Sequence, residues 1–309
     1  MAITRKRCWR YDWVLEFDIR GLFDNIDHTL LRRALEKHTE CKWVRLYIGR
    51  WLTAPLQQAD GTLVDRAKGT PQGGVVSPVL ANLFMHYTFA VWMTRTFPGV
   101  PWCRYADDGL VHCKTEAEAL AIKAALAGQL AECGLEMHPE KTQVVYCKDG
   151  SRKGKYPSTK FDFLGYTFRP RVVKNRKLDS LFVSFTPAAS PKALKSMREA
   201  TRKRNYRSRT ELSLWDISRL HNPVLRGWVA YYGRFYPSRC IRSSDTSTRR
   251  WWPGRCGSTD GCGGTRHGPA SSSKRWQRSS PICSYIGKTG RWVRLPDGSG
   301  VNREVPAPF

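Results

Sequence analysis

Two adjacent carboxylates, Asp107 and Asp108, stand between short apolar runs, Val100-Pro101-Trp102-Cys103 before them and Leu110-Val111 after. No other stretch restricts the fold so tightly. Tyr, Val, Trp and Cys at this spacing predict a β-hairpin with the acidic pair at its turn. Two readings are open. Asp-Asp-Gly is ordinary turn chemistry. Equally, two carboxylates held together at a rigid turn repel each other unless a divalent cation neutralises them. A third carboxylate on a neighbouring strand would separate the readings.

Asp18 is the candidate. The run Trp13–Ile19 predicts a buried strand, and an unpaired carboxylate inside it is costly. A metal ion is an economical partner. Asp27 predicts an N-cap for a helix over His28–His38, with Leu30, Leu31, Ala34 and Leu35 inward. A second helix is predicted over Trp43–Leu52. In Gly69–Pro78 the glycines permit close backbone approach to a ligand, and Gln72 offers both donor and acceptor. Ser77 and Pro78 predict the cap and first position of a helix reaching about Arg95. The stretch lacks the Lys-Ser/Thr of a nucleotide-binding P-loop. Thr115–Cys133 predicts a helix ended by Gly134, and Gln143–Cys147 a further strand. The order of strand, helices, hairpin, helix and strand predicts an α+β fold, its partly antiparallel sheet covered by helices on one face.

Charge locates a second function. The chain of 309 residues carries a net charge of +26, which asks for a polyanionic partner such as nucleic acid. Residues 1–150 hold 19 basic and 17 acidic residues, whereas 151–240 hold 21 and 5. This asymmetry predicts a near-neutral catalytic body followed by a nucleic-acid-gripping part. Ten cysteines show no paired spacing, no signal peptide opens the chain, and no apolar run reaches the ~18 residues of a membrane span. A cytoplasmic location without a membrane partner is the expectation.

The order of motifs resembles one family. Phe17-Asp18-Ile19 with Phe23, then GTPQGGVVSP from Gly69, RYADD from Arg104, HPEKT from His138 and FDFLGY from Phe161 resemble the palm of group II intron reverse transcriptases. Asn222–Tyr236 is similar to that family's maturase region, the thumb or domain X. The resemblance covers residues 7 to about 238, and its specificity comes from the shared order of short motifs. It implies that Asp18, Asp107 and Asp108 are the metal-binding carboxylates, with Asp18 and Asp107 the main ligands of two Mg²⁺ ions roughly 3.5–4 Å apart. Phe23 matches the aromatic ring that bars a ribose 2′-hydroxyl; taken alone it would be a core aromatic. Gln72 and Gly73 match the loop against the incoming nucleotide and template base. Lys141 matches a basic residue that neutralises or protonates pyrophosphate, with an exposed structural lysine as the alternative. Phe163, Leu164 and Gly165 match the primer grip. The implied partners are group II intron RNA, an RNA template with its DNA primer, and deoxynucleoside triphosphates.

The reverse-transcriptase palm is thus expected over residues 1–170, with a Gly/Lys/Ser linker at 150–160 and a connecting segment at 171–189. Thumb helices are expected over 190–238. Ser190–Tyr206 predicts a basic helix with Leu194, Met197 and Ala200 inside. Lys195, Arg198, Arg202, Lys203 and Arg204 lie outside and are assigned to RNA binding. Two short helices are predicted at Leu212–Leu220 and Val224–Phe235. The family's fingers, with their basic residues over the triphosphate, have no counterpart before the first strand. Three readings are therefore open: a truncated RNA-directed DNA polymerase with a maturase role, a splicing maturase without polymerase activity, or a non-functional relic.

Residues 239–309 predict an irregular basic tail rich in Arg, Ser, Gly, Cys and Trp. Arg239–Asp245 can be back-translated as CGC TGT ATC CGG TCT TCC GAC. Read from the third base, these codons give LYPVFRH, and the same shift carried through Tyr285 gives an amphipathic basic sequence resembling the family's continuation. The expectation is a pair of compensating frameshifts, in the gene or in its sequencing, enclosing roughly residues 239–285. Sequencing the DNA of this stretch checks it: the codons will support the shifted reading, and codons that cannot do so refute it.

Overall fold

Strands β1 (Trp13–Phe17), β4 (Trp102–Tyr105), β5 (Asp108–Cys113) and β6 (Gln143–Tyr146) form an antiparallel sheet in the order β4-β5-β1-β6; a short helix α2 (Leu22–Asn25) follows β1, and β2 (Leu56–Gln57) pairs separately with β3 (Leu63–Val64). This computed structural model describes residues 1–237 except 58, 59, 72, 176–178, 206, 207 and 210. Gln72 and the tail expected over 239–309 therefore lie outside the described residues. The chain divides after Ser190 into two compact units. Among the described residues no helix is long and apolar enough to cross a membrane.

Alternation along β1 explains the layers of the first unit. Trp13, Leu15 and Phe17 are buried on one face, together with Val111 and Cys113 of β5. Three helices cover that face: α3 (His28–Glu36), α5 (Ser77–Met85) and α7 (Glu116–Glu132). They contribute Leu31 and Leu35, Leu80, Phe84 and Met85, and Ile122, Leu126 and Leu130. Each such side chain stabilises by about 1.5–3 kcal/mol when fully buried. This is the α+β palm with helices on one face that the pattern predicts. Val14, Leu110, His112 and Val145 point to the other face and are also buried. Helix α1 (Ala2–Arg10) reaches this region: Arg7 donates to the Trp102 carbonyl at 2.7 Å, and Cys8 is fully buried.

The caps follow the predicted chemistry at Asp27 and depart from it at Ser77, and Thr115 adds a cap of its own. Asp27 accepts from the Leu30 amide at 2.7 Å, and Thr115 accepts from the Glu118 amide. Ser77 makes no cap; its hydroxyl donates to the Pro71 carbonyl at 2.5 Å and ties down the glycine-rich loop. The predicted helix to Arg95 also changes pitch, running through a π-helical segment, His86–Val91, before α6 (Trp92–Thr96). That segment aims Phe89 at Phe17 and Trp102, with ring centroids 4.9 and 5.2 Å away. Helix α4 (Lys42–Thr53) matches the predicted run closely, burying Ile48 and Leu52.

Two segments expected as connections are structured. In 150–160, Arg152 donates to the carbonyls of Cys8, Trp9 and Cys147 and pairs with Asp12 at 2.9 Å, while Tyr156 packs edge-on against Trp13. Residues 171–174 and 181–189 belong to another antiparallel sheet, of β7 (Phe161–Phe163), β8 (Tyr166–Lys174) and β9 (Leu181–Ala189). Alternating Phe, Val and Thr made these strands; Phe161, Phe168 and Phe185 form their buried aromatic core.

The second unit contains α8 (Pro191–Lys203) and α9 (Leu214–Tyr232). Met197 is buried, and Lys195, Arg198, Arg202 and Lys203 are exposed as predicted. The two short helices expected after it are one. Ser213 and Asp216 form a capping box that starts α9, and the helix continues through Pro223. There the Asn222 side-chain amide donates to the Ser218 hydroxyl at 2.6 Å.

The tightest contact in the first unit is Gly109 beneath the Phe17 ring, where an added Cβ would lie 2.1 Å from Cζ. Gly109→Ala should cost about 3 kcal/mol, by overpacking. Urea unfolding will show it as a lowered midpoint with unchanged slope, partly restored by pairing the substitution with Phe17→Leu.

Candidate active site

The first unit brings Asp18 and Asp108 together through strand register. Phe17 pairs with Gly109, so the next residues, Asp18 and Asp108, come opposite each other on the sheet face away from the helices. Burial, the Asp107 charge and then the neighbouring Asp18 raise the Asp108 carboxyl, which is pushed up to about 6. Asp107 sits at the hairpin turn. The predicted turn was the acidic pair itself; the observed two-residue loop is Ala106-Asp107, with Asp108 the first residue of β5.

That loop is held under strain. Ala106 has φ +52°, a left-handed value uncommon for a residue with a Cβ. The Arg104 guanidinium secures it, donating from Nη1 to the Ala106 carbonyl at 2.7 Å and to Asn82 on α5 at 3.0 Å. Arg104 is a positioning residue that the sequence reading missed, although its place in the RYADD string was in view.

Asp18 is buried, and its partner is a cation from the same chain. Lys141 Nζ donates to Asp18 Oδ2 at 2.6 Å. A short crossing segment carries Lys141 there: the His138 amide donates to the Asp18 carbonyl at 2.8 Å, Ile19 bridges Met137, and the Thr142 amide returns to the His138 carbonyl. Lys141 is raised, first by this hydrogen bond and then by the Asp18 charge.

A fourth carboxylate, Glu16, shares the face two residues before Asp18. It accepts from Gln143 Nε2 at 2.6 Å, and burial, with a smaller contribution from Asp162, pushes it up to about 7. The alternation that places Asp18 on this face places Glu16 there too, two residues earlier in β1. Among the described residues no group of three or more Asp, Glu, His or Cys already forms a metal cage. What the site provides is a set of hard oxygen donors in which burial and the neighbouring Asp107 and Asp18 raise Asp108.

The flanking pieces are anchored to the same strand end. Phe23 is half-buried against the core, and its carbonyl accepts from the Thr70 amide at 2.6 Å. Gly69, at φ +81°, passes so close to the 23–24 backbone that a Cβ would sit 2.7 Å from the Asp24 carbonyl oxygen. Gly73, also at positive φ, is exposed with open space around its Cα. Phe163 ends β7, and Leu164 and Gly165 form a two-residue hairpin loop with φ +50° and +75°. Both central residues at positive φ match the hairpin-favoured mirror turn, at a steric cost for Leu164. In the second unit Arg204 leaves the exposed row: it donates to the Leu220 carbonyl at 3.0 Å and contacts His221. Burial, then Arg204, lowers His221 to about 4.

Carboxylates opposed across the antiparallel β1–β5 pair, an adjacent glycine-rich loop and a helix-backed sheet define a palm of the reverse-transcriptase type. Residues 3–168 match the family described as "Reverse transcriptase (RNA-dependent DNA polymerase)", and residues 194–252 match "Group II intron, maturase-specific domain". The chain belongs to the reverse transcriptase family, in its group II intron reverse transcriptase and maturase branch. It is 27% identical to Protein YkfC of Escherichia coli (strain K12) over 53% of this chain and 48% of that protein. It is 36% identical to the group II intron-encoded protein LtrA of Lactococcus lactis subsp. cremoris over 24% of this chain and 12% of that one. The chain thus spans less than half the length of these curated relatives. Telomerase structures from Candida tropicalis and Candida albicans superpose with a TM-score of 0.44 at 12% identity, covering 54% and 82% of this chain and 37% and 47% of theirs.

Glu16 gives a pH signature. Its folded value lies above the ordinary 4.5, so the native state binds more protons than the unfolded chain between about 4.5 and 7. Unfolding free energy should fall as pH rises through that window, by on the order of 1–3 kcal/mol from this group. Denaturant titrations in EDTA-containing buffer should show the fall in the wild type and a flatter profile in Glu16→Gln.

Proposed function

We propose that this chain carries the polymerase centre of a group II intron RNA-directed DNA polymerase, together with part of its maturase region. The reaction would be template-directed attack of a primer 3′-hydroxyl on the α-phosphate of a deoxynucleoside triphosphate, releasing pyrophosphate. The observation that carries this reading is the opposition of Asp18 and Asp108, with Asp107 at the adjoining turn. Three carboxylates so placed fit hard divalent cations, because their mutual repulsion is what such an ion relieves. Asp18 and Asp107, supported by Asp108, would hold two Mg²⁺ ions. Bound there, the ions would activate the primer hydroxyl and stabilise the pyrophosphate leaving group.

The chain's own residues perform the remaining work. Arg104 keeps the Asp107 turn in place. Phe23, fixed through its carbonyl to Thr70, would close the pocket on the ribose side, and Gln72 and Gly73 would lie against the nucleotide and template base. Phe163, Leu164 and Gly165 would present backbone groups to the primer end. Lys141, with its exposed four-carbon stem, would reach the triphosphate and give a proton or charge to departing pyrophosphate.

The exposed row Lys195, Arg198, Arg202 and Lys203 on α8 supports intron-RNA binding through phosphates, and Arg204 would act by linking α8 to α9. This row also favours the second reading, a splicing cofactor that binds intron RNA without polymerising. Primer extension on an RNA template with Mg²⁺ separates the two. The wild type should extend, and Asp107→Asn should lose about 100-fold or more. Extension that persists in Asp107→Asn overturns the site assignment. No extension, with RNA binding lost on Arg198→Ala, selects the splicing cofactor.

A further inference from the structure

The ammonium of Lys141 is placed on the oxygen that a divalent ion would need. Its Nζ lies 2.6 Å from Asp18 Oδ2, and the two side chains differ sharply in setting: the Asp18 carboxylate is 10% exposed and the Lys141 side chain 61%. The backbone under Lys141 is fixed by the Thr142 to His138 and His138 to Asp18 hydrogen bonds and by the Ile19–Met137 bridge. The stem is free to turn while its base is not. An ammonium and a divalent cation on one carboxylate oxygen repel each other strongly in a part-buried site, so binding of the one weakens the other.

We propose that Lys141 is the internal counter-ion of Asp18, displaced when a divalent cation binds, so that metal arrival itself releases the ammonium toward the triphosphate. This rests on the two-ion reading of the site. It explains why a carboxylate can remain buried in an apolar strand, and why the acidic residues stand close without forming a cage. The latch is weak enough to open: a pair with one largely exposed partner contributes little to stability, while its loss frees an oxygen for a doubly charged ligand. The same side chain would therefore serve twice, guarding Asp18 before the ion binds and facing phosphate oxygens afterwards. Binding of the first ion then also arms the group that meets the leaving pyrophosphate.

The test is Mn²⁺ affinity, read by the loss of the free-ion electron paramagnetic resonance signal on titrating the full chain. Lys141→Met should bind Mn²⁺ about 3- to 10-fold more tightly than the wild type. Lys141→Arg, which keeps the charge, should stay close to wild type. Arg20→Gln is the control for overall charge, because Arg20 lies near Asp18 yet pairs with Glu136 at 3.5 Å. It should change affinity less than twofold. Unchanged or weaker binding in Lys141→Met overturns the latch, as does an equal gain in Arg20→Gln, which would mean a general field effect. Asp107→Asn distinguishes the two levels of the argument. If it weakens Mn²⁺ binding while Lys141→Met changes nothing, the metal site stands and the latch falls. If neither substitution alters binding, the ion sits elsewhere and both fall.

Discussion

The Phe17 ring over Gly109 sets the register on which the rest of the site depends. With no side chain at 109, the β1 and β5 backbones pair while the ring passes beneath to meet Phe89. One step further along, the same register brings Asp18 opposite Asp108. A slip of one residue would turn Asp18 toward the helices, into a core of Leu31, Phe84 and Leu126 where its charge could not be sustained. The apolar contact and the acidic contact are consecutive rungs of one ladder, so packing free energy on one rung offsets repulsion on the next.

Two of the four non-glycine residues with positive φ among the described residues lie at tight hairpin tips of the first unit, Ala106 and Leu164. Both occupy the first position of a two-residue hairpin loop. Each is braced: Ala106 by Arg104, and the Leu164-Gly165 loop by the Ser190 amide, which donates to the Gly165 carbonyl at 3.0 Å. A relaxed loop of the same length would favour glycine at these places. Tight loops without that freedom aim neighbouring groups, here Asp107 and the backbone of the Leu164-Gly165 turn, more narrowly than a mobile loop would.

Much of the first unit was legible because its signals are local. The strand at Trp13, the Asp27 cap and the α7 run are set by periodicity and by side chains within four residues. The misses arise where distant partners decide. Ser77 has cap chemistry, but Pro71 takes its hydroxyl. Arg152 lies in a stretch that looks like a linker, yet its guanidinium organises carbonyls from residues 8, 9 and 147. Asn222-Pro223 has the look of a helix break, but Pro223 costs one backbone hydrogen bond, which a packed helix can bear. In the site, the aspartates stood out as acids in apolar surroundings. Lys141 on Asp18 and Arg104 on Ala106 could not be read, because a lysine 123 positions away and a guanidinium folded back on its own turn leave no periodic trace.

Glu16 shows how the charge of such a centre can be limited. Four carboxylates close together would be harder to hold than three, and burial lifts one of them, Glu16, to about 7. Gln143 can serve either form: its amide donates to the carboxylate and equally to the carbonyl oxygen of the protonated acid. Burial thus makes Glu16 easier to protonate than an ordinary glutamate, which lowers the charge beside Asp108. Lys141 offsets the Asp18 charge from within the chain. Placed together, a readily protonated glutamate and a displaceable lysine let the fold assemble a strongly acidic face while keeping it ready for divalent ions.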